Sequence, residues 1–178
     1  GRHHDEVATI FREGELFGRF ETGQLDAPGF RSYLRELLQN SDWEDHILDT
    51  AWNSLLLDIP PQRIEMIKKL GKKYRLFLLS NTSCIHVEAV NKILYQASGV
   101  ERLDHLFEKL FLSYEMGVMK PHAAIYQQVL NEAGIEPHET LFLDDNADNI
   151  RGADALGIKT IHVQKPLTIL DYLKDYVA

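Results

Sequence analysis

The sequence predicts an α/β chain in which a doubly wound parallel sheet carries a small helical cap. Two observations carry that expectation. Beyond residue 72, short apolar runs at 75–79, 109–112, 140–143 and 159–163 alternate with stretches of helical periodicity. Such runs suit parallel strands buried on both faces and joined by crossover helices. Before residue 58 no comparable run occurs, and the apolar residues recur at helical spacing.

Taken in chain order, the first helices are marked by Phe30, Tyr33, Leu34, Leu37 and Leu38, and then by Ile47, Leu48, Ala51, Trp52 and Leu55. Gly23, Pro28 and Gly29 predict a loop between helices, and Ser41 and Asp42 ahead of Trp43 predict a helix start. Trp43 and Trp52 are expected to pack inside the cap, since each has a large area to bury. At Ile59-Pro60-Pro61 the pattern changes, and Ile64, Ile67 and Leu70 predict a helix ended by Gly71. The boundary is placed there, with a helical cap over 1–58 and a Rossmann-like core over 59–178. In the core, Val87, Val90, Ile93 and Leu94, then Ile125, Tyr126, Val129 and Leu130, then Ile150, Ala153 and Leu156 predict the crossover helices.

A length of 178 residues suits one core with a small appendage. The formal charge of -8 argues against a sequence-independent nucleic-acid surface, which needs clustered Lys and Arg. A single cysteine, Cys84, excludes an internal disulfide and a Cys-based zinc site, and is expected to be a buried free thiol. No apolar run approaches the roughly 18 residues that span a bilayer, so no membrane partner and a cytoplasmic location are expected. Gly1 is read as a processing remnant, a tag scar or a cut end, and His3-His4 as a frayed end.

In a doubly wound sheet, ligands bind outside the carboxyl ends of the strands. The residues there are polar. Ser80-Asn81-Thr82 follows the first run and offers a hydroxyl and fresh N–H groups to an anion, or a plain helix cap. Gly117-Val118-Met119-Lys120-Pro121 sets Lys120 just before a helix, where the macrodipole is already positive, so it serves stability poorly there. Asp144 and Asp145 follow the third run, with Asn149 about one turn further on; adjacent carboxylates repel unless a hard cation joins them. All three clusters fall on one edge of one sheet, and together they define a phosphoryl site.

Strand-Ser80-Asn81, Gly-x-x-Lys120-Pro121 and Leu-Phe-Leu-Asp144-Asp145-x-x-x-Asn149 resemble motifs two to four of the haloacid dehalogenase (HAD) superfamily. The Leu-Leu-Ser-Asn-Thr and Leu-Asp-Asp runs are similar, more narrowly, to the HAD-like phosphatases related to the amino-terminal domain of soluble epoxide hydrolase. The resemblance implies a magnesium-dependent phosphatase acting on a small phosphorylated substrate through an aspartyl-phosphate. It implies that Ser80 and Asn81 bind phosphoryl oxygens, that Lys120 neutralises charge, and that Asp145 is the direct magnesium ligand. Asp144 stands beside it at the metal, and Asn149 partners lysine, water and substrate.

The family's nucleophile, an Asp ending a first strand, has no counterpart ahead of Phe11; Asp5 lacks an apolar run before it. In the family that strand lies between those of motifs two and four, so roughly 20 to 40 further amino-terminal residues are expected in the natural protein, and no catalysis without them. A 2-haloacid dehalogenase is the nearest rival, disfavoured by the aspartate pair. A receiver domain has the motifs in another order, and a non-catalytic binding module rests on the missing nucleophile alone. Phe20-Glu21-Thr22-Gly23 reads either as a border of the pocket or as an ordinary loop.

Overall fold

The computed structural model describes residues 15–177. The expectations for Gly1, His3, His4 and Asp5 therefore lie outside the described residues. Helices α1 (Glu15–Glu21), α2 (Ala27–Leu37) and α3 (Asp45–Asn53) form the first part. Asp26 caps α2 by accepting the Gly29 N–H at 2.8 Å, with Pro28 in the first turn where a missing N–H costs nothing. Helix α3 starts at Asp45 after Glu44, later than the expected Ser41-Asp42. Arg31 ties α2 to α3 through two parallel 2.8 Å bonds from Nε and Nη2 to the Asp49 carboxylate.

The inward faces of these helices share Leu16, Phe20, Phe30, Leu34, Leu48 and Trp52. Phe20 and Phe30 stack at 4.1 Å, and Phe17 lies parallel to Trp52 at 5.1 Å. Burying side chains of this size contributes about 1.5–3 kcal/mol each. Two expectations fail on this helix face. Leu48 and Trp52 take the inward stripe of α3, so Ile47, one position earlier, is left 43% exposed, while Leu55 lies beyond the helix end at Asn53 and is 66% exposed. Trp43, ahead of the helix, is 36% exposed rather than packed.

The second part runs through α4 (Pro61–Leu70), β1 (Phe77–Ser80), α5 (Cys84–Ser98), β2 (Lys109–Leu112), α6 (Ser113–Met116), α7 (Ala123–Ala133), β3 (Leu141–Asp144), α8 (Ala147–Asp154), β4 (Lys159–His162) and α9 (Ile169–Tyr172). Gly71 follows α4 as expected. Strand β1 pairs in parallel with β2 and β3 with β4, in registers that join Ser80 to Leu112 and Asp144 to His162. Strands β1 and β3 therefore begin and end later than the apolar runs at 75–79 and 140–143, whereas β2 coincides with the run at 109–112 and β4 stops one residue short of 163. Arg75, expected in β1, instead precedes it and holds Glu108 by a forked ion pair of 2.9 and 2.6 Å. Ser80 and Asp144 are strand residues and not the first loop residues.

Among the described residues β1 and β3 form no ladder with each other, so the sheet stands as two parallel pairs. What joins the pairs is side-chain packing. Leu79 of β1 and Phe142 of β3 both lie against a cluster of Ile125, Tyr126, Leu130, Ala153 and Ile158. Tyr126 meets Phe142 edge-on at 5.6 Å.

The first part docks on the second through Trp52, whose indole stacks on the His86 ring at 4.7 Å and 3°. Its Nε1–H donates to Ser83 Oγ at 3.3 Å, and its carbonyl lies 3.2 Å from His86 Nε2. Ser83 caps α5, and Ile85 joins the aromatic cluster. Cys84, between them, faces outward and is exposed, contrary to the expected buried thiol. A second docking point is Gly23, at φ 70°, where an added Cβ would collide with the Tyr114 carbonyl of α6.

Burial pushes the His86 imidazole down from its ordinary range, partly offset by the Trp52 carbonyl. A neutral ring is thus favoured in the folded state. As pH falls below about 6.5 the unfolded chain takes up this proton first, and stability falls until the lowered folded value is reached. Thermal melts between pH 7.5 and 5 should show a larger loss for the wild type than for His86→Gln. Equal losses would mean that His86 does not titrate differently on folding.

Candidate active site

The carboxyl ends of β1 and β3 carry the polar residues singled out in the sequence. Lys120 sits between them, in the loop that leaves α6 and precedes α7. The backbone of that loop is held by Asn81, whose Nδ2 donates to the Lys120 carbonyl at 2.9 Å while its Oδ1 accepts the Lys120 N–H at 2.8 Å. One carboxamide thus satisfies both polar groups of one peptide position. The Lys120–Pro121 bond that follows is cis.

So fixed, the lysine side chain crosses from one strand pair to the other. Its Nζ donates to the Leu79 carbonyl of β1 at 3.0 Å and to Asp144 Oδ2 of β3 at 2.7 Å. The side chains are 10% and 7% exposed, so solvent screens this ion pair little. Asp144 Oδ1 accepts the Asn146 N–H at 2.8 Å and Asn149 Nδ2 at 3.0 Å. Burial alone would raise the Asp144 carboxyl, but the bonds from Lys120, Asn146 and Asn149 and the lysine charge outweigh it and hold the group below its ordinary range. Asn149 is itself buried, and Tyr126 Oη donates to its carbonyl at 2.8 Å, which pins the first turn of α8.

Asp145, one residue beyond β3, differs from its neighbour. It is exposed, and its carboxylate makes no hydrogen bond or ion pair with another described residue; only its carbonyl is engaged, 3.0 Å from His162 Nε2. Ser80 keeps its hydroxyl nearly unspent, with a 3.5 Å approach to the Asn81 carbonyl that is too long to count for much. Behind them, Ser113 Oγ accepts the Thr82 N–H at 2.9 Å and donates to the Thr82 carbonyl at 3.2 Å, stitching the end of β2 to the loop after β1.

Lys120, Asn81, Asp144 and Asn149 are thus one hydrogen-bonded network, with Ser80 and Asp145 at its strand ends. Three participants were not singled out for it in the sequence. Tyr126 reads there only as helix core, His162 falls inside the apolar run at 159–163, and Ser113 carries no signal of its own. Among the described residues no group of three or more His, Cys, Asp or Glu side chains could hold a metal ion by itself. A hard cation that keeps most of its waters needs less: one or two carboxylates, completed by substrate oxygens. The free Asp145 carboxylate fits that requirement.

An α/β chain with parallel strands and a lysine–aspartate pair spanning their ends defines a class, and comparison with known families names it. Residues 6–157 match the haloacid dehalogenase-like hydrolases, and the chain belongs to that family. It is 29% identical over 150 residues to D-ribitol-5-phosphate phosphatase of Bacteroides thetaiotaomicron, covering 84% of this chain and 72% of that one. It is 35% identical over 163 residues to Drimenol cyclase drtB of Aspergillus calidoustus, of which it spans 30%. Among solved structures, a HAD family enzyme of Bacteroides thetaiotaomicron superposes with a TM-score of 0.86 at 34% identity, over 96% of this chain and 83% of that one. The same enzyme in complex with magnesium and inorganic phosphate superposes with a TM-score of 0.84 at 36% identity, over 92% and 82%. The fold is therefore the HAD-like α/β fold, as the sequence motifs implied.

Proposed function

We propose that this hydrolase is a magnesium-dependent phosphatase of small phosphomonoesters, with residues 1–58 acting as cap and 59–178 as catalytic core. The observation that carries the reading is Lys120, a nearly buried cation held at the strand ends by Asn81, Leu79 and Asp144. A transferring phosphoryl group spreads negative charge over its equatorial oxygens, and a cation fixed in advance stabilises that charge without reorganising. Ser80, with its hydroxyl unspent, and the backbone after it receive phosphoryl oxygens. Asn81 has a second task, since its side chain is what places Lys120. Asp145 is the direct magnesium ligand and Asp144 the partner that orients lysine and Asn149. Magnesium, when bound, neutralises phosphoryl charge and fixes its orientation.

The acceptor of the phosphoryl group is an aspartate on a strand seated between β1 and β3, whose facing edges carry no ladder to each other among the described residues. The substrate's ester P–O bond breaks as the acyl-phosphate P–O bond forms, the departing alkoxide takes a proton from water to leave as the alcohol, and the hydroxide equivalent so formed cleaves the acyl-phosphate, releasing hydrogen phosphate and returning the carboxylate. The named relative suggests a polyol phosphate as substrate. A phosphomonoester screen on the intact protein, with magnesium and with chelator, tests the reading. Magnesium-dependent release of phosphate is expected, and release of halide from 2-haloacids with no phosphate release would favour the dehalogenase instead.

A further inference from the structure

Asp145 combines an unspent side chain with a firmly held backbone. The residue is exposed and its carboxylate has no partner among the described residues, yet the peptides on both sides of it are fixed. On the amino side, the Asp144 carbonyl accepts the Val163 N–H at 2.9 Å, which continues the ladder of β3 with β4. On the carboxyl side, the Asn146 N–H donates to Asp144 Oδ1 at 2.8 Å, and the Asp145 carbonyl lies 3.0 Å from His162 Nε2. His162 is the last residue of β4 and the register partner of Asp144, so its ring reaches the residue that follows Asp144 across the ladder.

The partners of the ring decide where its proton sits. A carbonyl only accepts, so Nε2 carries the proton and Nδ1 is left bare to accept from Gln164 Nε2 at 3.2 Å. Gln164, His162 and Asp145 thus form a directed series, amide to imidazole to carbonyl, in which Gln164 selects the tautomer that the Asp145 carbonyl requires. The series does little for folding. The contact with the Asp145 carbonyl is exposed, and water would satisfy that oxygen about as well. What an imidazole rooted in a strand adds, and water does not, is direction: it fixes the plane of the 145–146 peptide, and with it the point from which the Asp145 side chain leaves the backbone.

We propose that His162 is a positioning residue for the magnesium ligand Asp145, with Gln164 holding the His162 ring in place. The inference rests on the reading of Asp145 as that ligand and extends it to the end of β4. A carboxylate without protein partners keeps its lone pairs for a cation, whereas the Asp144 oxygens are taken by Lys120, Asn146 and Asn149. Such a ligand serves best when its root is held to within about 0.5 Å by groups that do not themselves touch the metal.

The test compares wild type, His162→Ala, His162→Gln and Gln164→Ala in the intact protein. Magnesium binding is measured by calorimetry without substrate, melting temperature without magnesium, and kcat and KM with p-nitrophenyl phosphate at saturating magnesium. His162→Ala should weaken magnesium about fivefold, the worth of one hydrogen bond, with kcat and KM within about twofold of the wild type. His162→Gln, whose amide donates from nearly the place of Nε2, should recover most of the affinity, and Gln164→Ala should lose less than His162→Ala. Unchanged magnesium affinity in His162→Ala would overturn the proposal. A loss that His162→Gln does not restore would overturn it too, and a melting temperature that falls in step would mark the residue as structural. A wild type that binds magnesium beside an indifferent His162→Ala removes His162 alone and leaves the reading of Asp145 standing. If the wild type binds no magnesium, that reading falls, and this inference with it.

Discussion

Replacing Lys120 with alanine is expected to lower turnover by roughly 10² or more at saturating substrate and magnesium, because a charge organised ahead of the reaction is removed from the transferring group. The same change should cost stability. Asp144 is 7% exposed and would lose its ion partner, and stripping one member from such a buried pair typically costs about 3–5 kcal/mol. The two effects separate in a Lys120/Asp144 double variant, where removing both charges should recover much of the stability and none of the activity. Steady-state kinetics and urea unfolding on the intact protein measure them. Wild-type turnover in Lys120→Ala would reduce the residue to a structural strut.

Asp145→Asn is expected to lower activity by about 10² at physiological magnesium, with partial recovery as the metal concentration rises. A neutral amide remains an oxygen ligand but withdraws the charge that holds a hard cation. The effect should not extend to folding. The Asp145 side chain has no partner among the described residues, so thermal stability without metal should be near that of the wild type. Magnesium titrations of activity, read beside melting curves, check both halves. An unaltered magnesium dependence would remove Asp145 from the metal site.

Much of this was legible in the sequence for a definite reason. Buried parallel strands leave continuous apolar runs, and their carboxyl ends leave polar breaks, so Ser80, Lys120 and Asp144 announce themselves without knowledge of contacts. The strand limits were less legible, because a ladder runs on through Ser80 and Asp144 whatever their polarity. Long-range docking was not legible at all. Periodicity gives Ile47 and Leu48 equal weight, and only the rotation of α3 against α2 decides that one is 43% exposed and the other 3%. The dual use of the Asn81 carboxamide depends likewise on which segments meet across the fold.

The lysine ammonium carries three protons in a fixed tetrahedral arrangement. The Leu79 carbonyl takes one and Asp144 a second, so the directions of two N–H bonds are set by the two halves of the sheet. The third is then set as well. Lys120 has one proton left to offer a ligand, and its aim is fixed by the separation of β1 from β3. Any change in the spacing of the strands would swing that bond. The precision of the chemistry at this end of the molecule is in that sense a property of how widely the sheet is held open.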